Sequence, residues 1–177
     1  MDKEQFYSPS SAYAEAIQRG PDHDAMQLAF VRWRRKQINT GELTHEKEEK
    51  SETGVNWIVK CRLINIEIEH PIKGKYGIRA FADVAETWAT SRISSTGNEL
   101  TSTSLRVYEL KPKIYSCGAF IRQIIALADA ADATAYPVVR ADDPKLDEFH
   151  ELIWDCGIWA WDGCGGFKWI RPFSHQS

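Results

Sequence analysis

Leu105-Arg106-Val107-Tyr108-Glu109-Leu110-Lys111, followed by Pro112 and then by Ser116-Cys117-Gly118-Ala119-Phe120, decides the fold. Leu105 to Lys111 reads as a β-strand, and Pro112, which cannot donate to a ladder, closes it. Ser116 is a good N-cap for a helix from Cys117 to about Ala131. Phe120, Ile121, Ile124, Ile125 and Ala128 form the buried stripe of that helix. Ala135 to Val139 is a short apolar run that reads as another strand. Strand, helix and strand in that order predict two parallel neighbours joined by a crossover. The strand carrying Glu109 and Lys111 is therefore expected to be central, where charged side chains need a partner or an ion.

Upstream, Ser11 to Arg19 reads as a short helix stopped by Gly20-Pro21. A second helix is predicted from Asp22 to about Ile38, with Met26, Phe30, Trp33 and Gln37 at helical spacing. His45 to Glu52 is a charged patch, readable as a helical turn or an exposed loop. From Val55 to Glu69 the chain reads as a strand, with Ile64, Ile66 and Ile68 alternating with polar residues. Pro71 and Lys73-Gly74-Lys75 signal a turn. Tyr76 to Trp88 returns as an antiparallel strand bearing Asp83 and Glu86. Thr90 to Ser104, rich in Ser, Thr, Gly and Asn, reads as a polar, mobile loop.

Downstream, Asp143-Pro144 opens a helix whose core face is Leu146, Phe149, Leu152 and Ile153. Gly157 to Trp161 and Phe167 to Arg171 flank Asp162-Gly163 as a terminal hairpin. The expected class is a single-domain α/β three-layer sandwich, a central mixed sheet flanked by helices. N-terminal helices and the charged patch would occupy 1–54, the core 55–140, and a helix with a hairpin 141–177.

The chain has 177 residues, enough for one good core and too few for two ordinary domains. No apolar run reaches membrane-spanning length, and Met1-Asp2-Lys3-Glu4-Gln5 lacks the blocks of a signal peptide. Cytoplasmic residence is the expectation. The net charge of −3 does not advertise a nucleic-acid binder, but a local basic surface suffices for one. Basic residues cluster in Arg32-Trp33-Arg34-Arg35-Lys36 and around Lys111, Lys113 and Arg122. The first cluster reads equally well as a solvated helix face. Cys61, Cys117, Cys156 and Cys164 form no CxxC pair and read as buried free thiols. The five histidines show no metal spacing to one another or to a cysteine. Trp154, Trp159, Trp161, Phe167 and Trp169 could stack on bases, but core packing is the favoured reading.

Glu109 and Lys111 stand two residues apart on one strand, so their side chains emerge on one face. Asp83 comes from the preceding strand. Two carboxylates can hold a hard divalent cation through oxygen, and an ammonium beside them can steady developing charge. That combination suits metal-assisted phosphodiester cleavage. The alternative for each residue is an ordinary strand charge.

Asp83, then Glu109-Leu110-Lys111, then a helix bearing Gln123, resembles the PD-(D/E)XK nuclease superfamily, closest to its RecB-like and phage-type members. The resemblance spans residues 55–140. Gly77 precedes Asp83, Ala82 replaces the usual proline, and Leu127 stands where RecB-like helices carry tyrosine. The resemblance implies a restriction endonuclease-like fold and cleavage of DNA with Mg²⁺ or Mn²⁺. It implies Asp83, Glu109 and the Leu110 carbonyl as metal ligands, with Lys111 and Gln123 as catalytic partners. Ser116, Gly118, Arg122 and Lys113 would contact substrate. The family also uses an early acid, for which Glu46, Glu48, Glu49, Glu67 and Glu69 are candidates. DNA is the implied partner, a membrane is not, and homodimerisation stays open. An inactive nuclease-fold module binding DNA or protein, or a phage structural or assembly protein, remain the alternatives.

Overall fold

The computed structural model describes residues 20–41 and 43–175, so the helix expected over Ser11 to Arg19 lies outside the described residues. The protein is an α/β structure built on a seven-stranded mixed sheet curled into a half-barrel. In chain order the elements are α1 (Gly20–Asn39), β1 (Thr44–Lys50), β2 (Asn56–Gly74), β3 (Gly77–Ser94), β4 (Glu99–Lys111), α2 (Cys117–Ala131), β5 (Thr134–Arg140), α3 (Leu146–Ile153), β6 (Ile158–Trp161) and β7 (Phe167–Ile170). A short 3₁₀ turn, Phe173–His175, follows. The strands lie side by side in sequence order. β1 to β4 form an antiparallel meander, β4–β5 and β5–β6 are parallel, and β6–β7 is antiparallel.

β4 is therefore the fourth of seven strands, and the crossover through α2 to a parallel β5 is as the sequence predicts. Its alternate residues feed two cores. Val107 packs with Ala85, Val139, Phe120 of α2 and Phe149 of α3. Tyr108 and Leu110 pack with Val84, Val138, and Met26 and Phe30 of α1. A strand with period-two side chains can do this only if helices lie on both of its faces. The outer halves of β2, β3 and β4 carry just a small third cluster, Leu43, Leu63 and Trp88.

Several boundaries differ from expectation. His45 to Glu52 is neither helix nor loop: Thr44–Lys50 is the edge strand β1, exposed and highly charged. Such charge protects an edge from pairing with another chain. The segment read as a mobile loop, Thr90 to Ser104, is mostly ladder, with Ser91 opposite Thr101 and Ile93 opposite Glu99. Its Ser and Thr residues tolerate a two-sided, solvated ribbon as readily as a loop. β2 runs through Pro71, which lies opposite Phe81, and turns only at Gly74 and Gly77. A register shift between Leu63 and Asn65 turns Ile64 outward, 47% exposed, while Ile66 and Ile68 stay buried.

The α2 boundaries match. Ser116 caps it, its hydroxyl accepting from the Ala119 amide at 3.2 Å. Leu127 rather than Ile125 completes its buried stripe, and Ile125 is exposed. α3 begins at Leu146, not at Pro144; Asp143 caps the turn before it by accepting from the Lys145 amide. Leu152, expected in the core, is exposed.

The tryptophans are spent mainly on holding α1 to the terminal hairpin. Trp33 lies 5.0 Å from Trp159 between ring centroids, and Phe30 lies 5.2 Å from Phe167. Of the cysteines, all free, Cys117 is buried, Cys61 and Cys156 are half-buried and Cys164 is exposed. Burial pushes the Cys156 thiol up to about 11. Among the described residues no helix is long and apolar enough to cross a membrane.

Candidate active site

Glu109 and Lys111 share the α2 side of β4, because they alternate with Tyr108 and Leu110, which face α1. Lys111 Nζ lies 3.3 Å from Glu109 Oε1 and 5.8 Å from the Phe120 ring centroid of α2. The pair is partly sheltered, the Glu109 side chain being 12% exposed and that of Lys111 31%.

Asp83 reaches the same segment by another route. The last ladder pair between β3 and β4 at this end is Val84 with Tyr108. One step beyond it, the Asp83 carboxylate takes over: Oδ2 accepts from the Leu110 amide at 2.7 Å. The acid is thus fastened to the residue between Glu109 and Lys111. Its carboxylate also lies toward α1, with Oδ2 3.3 Å from His23 Nε2. Asp83 therefore lies toward the α1 side of β4 and Glu109 with Lys111 toward its α2 side, so the three side chains do not share one face; Asp83 is tied to the strand through the Leu110 amide.

α1 supplies two polar side chains here because His23 and Gln27 are one helical turn apart, on the face that also carries Met26 and Phe30. Gln27 Nε2 donates to Glu69 Oε1 at 2.8 Å and to the Asp83 carbonyl at 2.7 Å. Glu69 stands opposite Asp83, between the pairs Ile68–Val84 and His70–Ala82. It is buried, and its φ of +50° lies in the left-handed region. A non-glycine residue held there inside a strand stores strain that surrounding contacts must sustain, and such residues concentrate at functional sites. Gln27 Oε1 is buried without a hydrogen-bond partner among the described residues, and the buried His23 ring nitrogens face the Asp83 and Asp24 carboxylates at 3.3 and 3.9 Å without hydrogen-bond geometry. Orphaned polar atoms of this kind call for an explanation beyond packing.

Of the five candidates for an early acid, Glu69 is the one placed beside Asp83. Glu67 bonds His70 and Asn65 at the surface. Glu46, Glu48 and Glu49 lie opposite Lys60, Ile58 and Trp57, at the far end of β2.

A cleft of about 610 Å³ opens where β4 and β5 end. Leu110 and Lys111 form part of its floor, and Lys113, Tyr115, Ser116 and Gln123 one wall. His23, Arg140 and Asp143 also line it, Asp143 accepting from the Ile114 amide of the Lys113–Tyr115 loop. The carboxyl ends of parallel strands are where open α/β sheets bind ligands. The starts of α1, α2 and α3 all border this cleft, through Asp22, Ser116 and Pro144. Helix N-termini favour anions. Arg140 is held by Asp142 through two bonds of 2.8 and 2.9 Å, and the neighbouring carboxylate holds that guanidinium above its ordinary range. Asp83, Glu109, Gly118 and Arg122 lie outside the cleft lining, and a Cβ at Gly118 would meet only the Arg122 side chain, at 3.6 Å.

The hard-oxygen donors available to a cation are the Asp83 and Glu109 carboxylates and the Leu110 carbonyl. Among the described residues no three His, Cys, Asp or Glu side chains group to hold a metal. Zinc sites need three or four such ligands. Magnesium takes one or two carboxylates and completes its shell with water and phosphate oxygen. These donors are of the kind magnesium and manganese take, but Asp83 reaches β4 from the α1 side and Glu109 from the α2 side, and neither lines the cleft.

Sequence reasoning did not single out His23, Gln27 or Asp143, nor the buried pair Arg34 and Glu86 described below. Their signal was helical spacing: His23, Gln27 and Arg34 fall on the apolar stripe of α1, where a polar residue must be satisfied by the sheet. No protein-family model, curated protein or solved structure matches this chain, so its geometry alone carries the functional reading.

Proposed function

We propose that the protein is a Mg²⁺- or Mn²⁺-dependent nuclease that hydrolyses phosphodiester bonds of DNA, on a three-layer fold of the restriction endonuclease-like kind. The observation that carries the reading is the 2.7 Å bond from the Leu110 amide to Asp83, which ties a buried acid to the residue between Glu109 and Lys111, where Leu110 and Lys111 line the cleft. The central β4, the crossover through α2 and the parallel β5 support the reading.

Asp83, Glu109 and the Leu110 carbonyl would hold the cation. When bound, it supplies Lewis acidity toward a phosphate oxygen and lowers the pKa of a water. Hydrolysis joins a water oxygen to phosphorus and breaks a P–O ester bond, whose oxygen leaves with the electron pair and takes up a proton. Lys111 places a positive charge where negative charge grows on the phosphate. Glu69 and Gln27 hold the Asp83 segment in place from behind. Ser116 and Gln123, on the cleft wall, offer hydrogen bonds to the backbone of the strand being cut, contacts that carry no sequence information.

The test is incubation of purified protein with supercoiled plasmid in Mg²⁺, in Mn²⁺ and in EDTA. Nicking or linearisation in either metal and none in EDTA is the expected result. Intact plasmid in all three, with linear duplex and single-stranded DNA also left intact, contradicts the proposal and favours the inactive binding module.

A further inference from the structure

Tyr115 is 78% exposed at the rim of the cleft, four residues beyond Lys111. The loop bearing it is tied down on both sides. Ile114 is buried, and its amide donates to Asp143 Oδ2 at 2.7 Å. The carbonyl of Tyr115 itself accepts from Lys145 Nζ at 2.6 Å. Pro112 stiffens the loop from the other end. Ser116, next in the chain, is the N-cap of α2. An aromatic ring is thus displayed to solvent on a braced backbone, which lowers the entropic cost of binding a flat partner. Lys113 Nζ lies 5.1 Å from its ring centroid.

A nucleotide has one flat apolar part and one anionic part. The ring face away from Lys113 matches the first, and the ammonium over the other face matches the second. A base can stack on the tyrosine while its phosphate meets the lysine and the N-terminus of α2. A base inside a duplex keeps its faces covered by its neighbours, so such a contact selects an unpaired base.

We infer that Tyr115 and Lys113 form a stacking subsite for an unpaired base, making the preferred substrate single-stranded or frayed DNA. The inference deepens the nuclease reading and rests on it.

Binding of labelled oligo(dT) and of a blunt, GC-rich duplex is followed by fluorescence anisotropy in EDTA, so that affinity is read apart from cutting. Tyr115→Ala is expected to weaken oligo(dT) binding about ten-fold and to leave duplex binding unchanged, while Tyr115→Phe retains wild-type affinity. Plasmid cutting in Mg²⁺ is run alongside. If wild-type protein cuts plasmid, but Tyr115→Ala binds oligo(dT) as wild type does or loses affinity equally for both ligands, the stacking subsite is refuted and the nuclease reading stands. If wild-type protein neither binds oligo(dT) nor cuts any of these DNAs, both fall. If it binds but cuts neither plasmid nor the labelled oligo(dT) in Mg²⁺, the nuclease reading falls, and the Tyr115 comparison alone decides the subsite.

Discussion

Lys111→Met and Glu109→Gln are each expected to lower Mg²⁺-dependent DNA cleavage at least about 100-fold, with the melting temperature nearly unchanged. The two side chains pair at 3.3 Å near the cleft surface. Solvent screens such a pair, so breaking it costs roughly 1 kcal/mol or less. Removing the ammonium, by contrast, takes charge away from the point where a phosphate would develop it. Glutamine keeps the shape of Glu109 and removes its ionic oxygen. Asp83 behaves differently. Its carboxylate replaces a ladder bond by accepting from the buried Leu110 amide. Asp83→Ala leaves that amide unsatisfied, at a cost of about 1–3 kcal/mol, and so mixes loss of chemistry with loss of stability. Asp83→Asn retains an acceptor oxygen and is the cleaner variant. Cleavage rates within a factor of about two of wild type for both Lys111→Met and Glu109→Gln, measured on one plasmid at one salt concentration, would remove these residues from the chemistry.

Arg34→Leu is expected to destabilise the fold by about 3–5 kcal/mol. Arg34 on α1 and Glu86 on β3 are both buried. The guanidinium donates through Nε to Glu86 Oε1 at 2.5 Å and through Nη2 to Oε2 at 3.1 Å. Oε2 also accepts from the Tyr108 hydroxyl at 2.7 Å and from Trp88 Nε1 at 3.0 Å. Burial would lower the Arg34 pKa, but Glu86 more than offsets it and the result is raised. Tyr108 stays protonated, its pKa held well above the ordinary phenol range by burial and then by the Glu86 charge. A folded pKa above the unfolded value means that this stabilisation is complete below about pH 10 and is lost as pH rises past it. Truncating Arg34 strands a carboxylate in the core with only neutral donors. In a chain of this size the loss lowers the melting temperature by on the order of 10 °C. Arg34→Leu combined with Glu86→Gln should recover much of it, because the amide carries no buried charge and its oxygen still accepts from Tyr108 and Trp88. Thermal unfolding of the single and double variants distinguishes this network from a surface pair, whose removal would shift melting by little.

The interior of the fold was legible where apolar period and punctuation agreed. Ser116, Phe120, Ile124 and Pro112 between them located α2 and the end of β4. The βαβ crossover followed from them, because a short apolar run after a helix leaves a parallel neighbour as its cheapest partner. The outer ribbon was not legible. Thr101, Ser102 and Thr103 bury little and show no alternation, so nothing in their pattern separates an exposed strand from a loop. β1 hid for the same reason: His45 to Glu49 is charged throughout and owes its strand to pairing with β2.

The candidate site divides along similar lines. Glu109 and Lys111 announce themselves, being charges on a strand that must be central. Glu69 was one acid among five, and only the ladder, which sets it opposite Asp83, separates it from Glu67 two residues away. His23 and Arg34 were hidden by a different effect. Each occupies a core position of α1 yet counts as polar in the pattern, so the stripe read from the sequence takes in Met26, Phe30, Trp33 and Gln37 and passes over both. Arg34 in particular lay inside a run of basic residues that invited a solvated or DNA-facing reading. Its burial against Glu86 takes it out of any binding surface.

Titration of the protein with Mn²⁺, followed by the electron paramagnetic resonance signal of the free ion, asks most directly whether Asp83 and Glu109 serve a common ion. The wild type is expected to take up Mn²⁺ at one site, with Asp83→Asn and Glu109→Gln each weakening it at least about ten-fold, since even outer-shell partners of a metal contribute that much. No Mn²⁺ uptake by the wild type, or uptake with the same affinity in all three proteins, would contradict a cation site shared by these carboxylates.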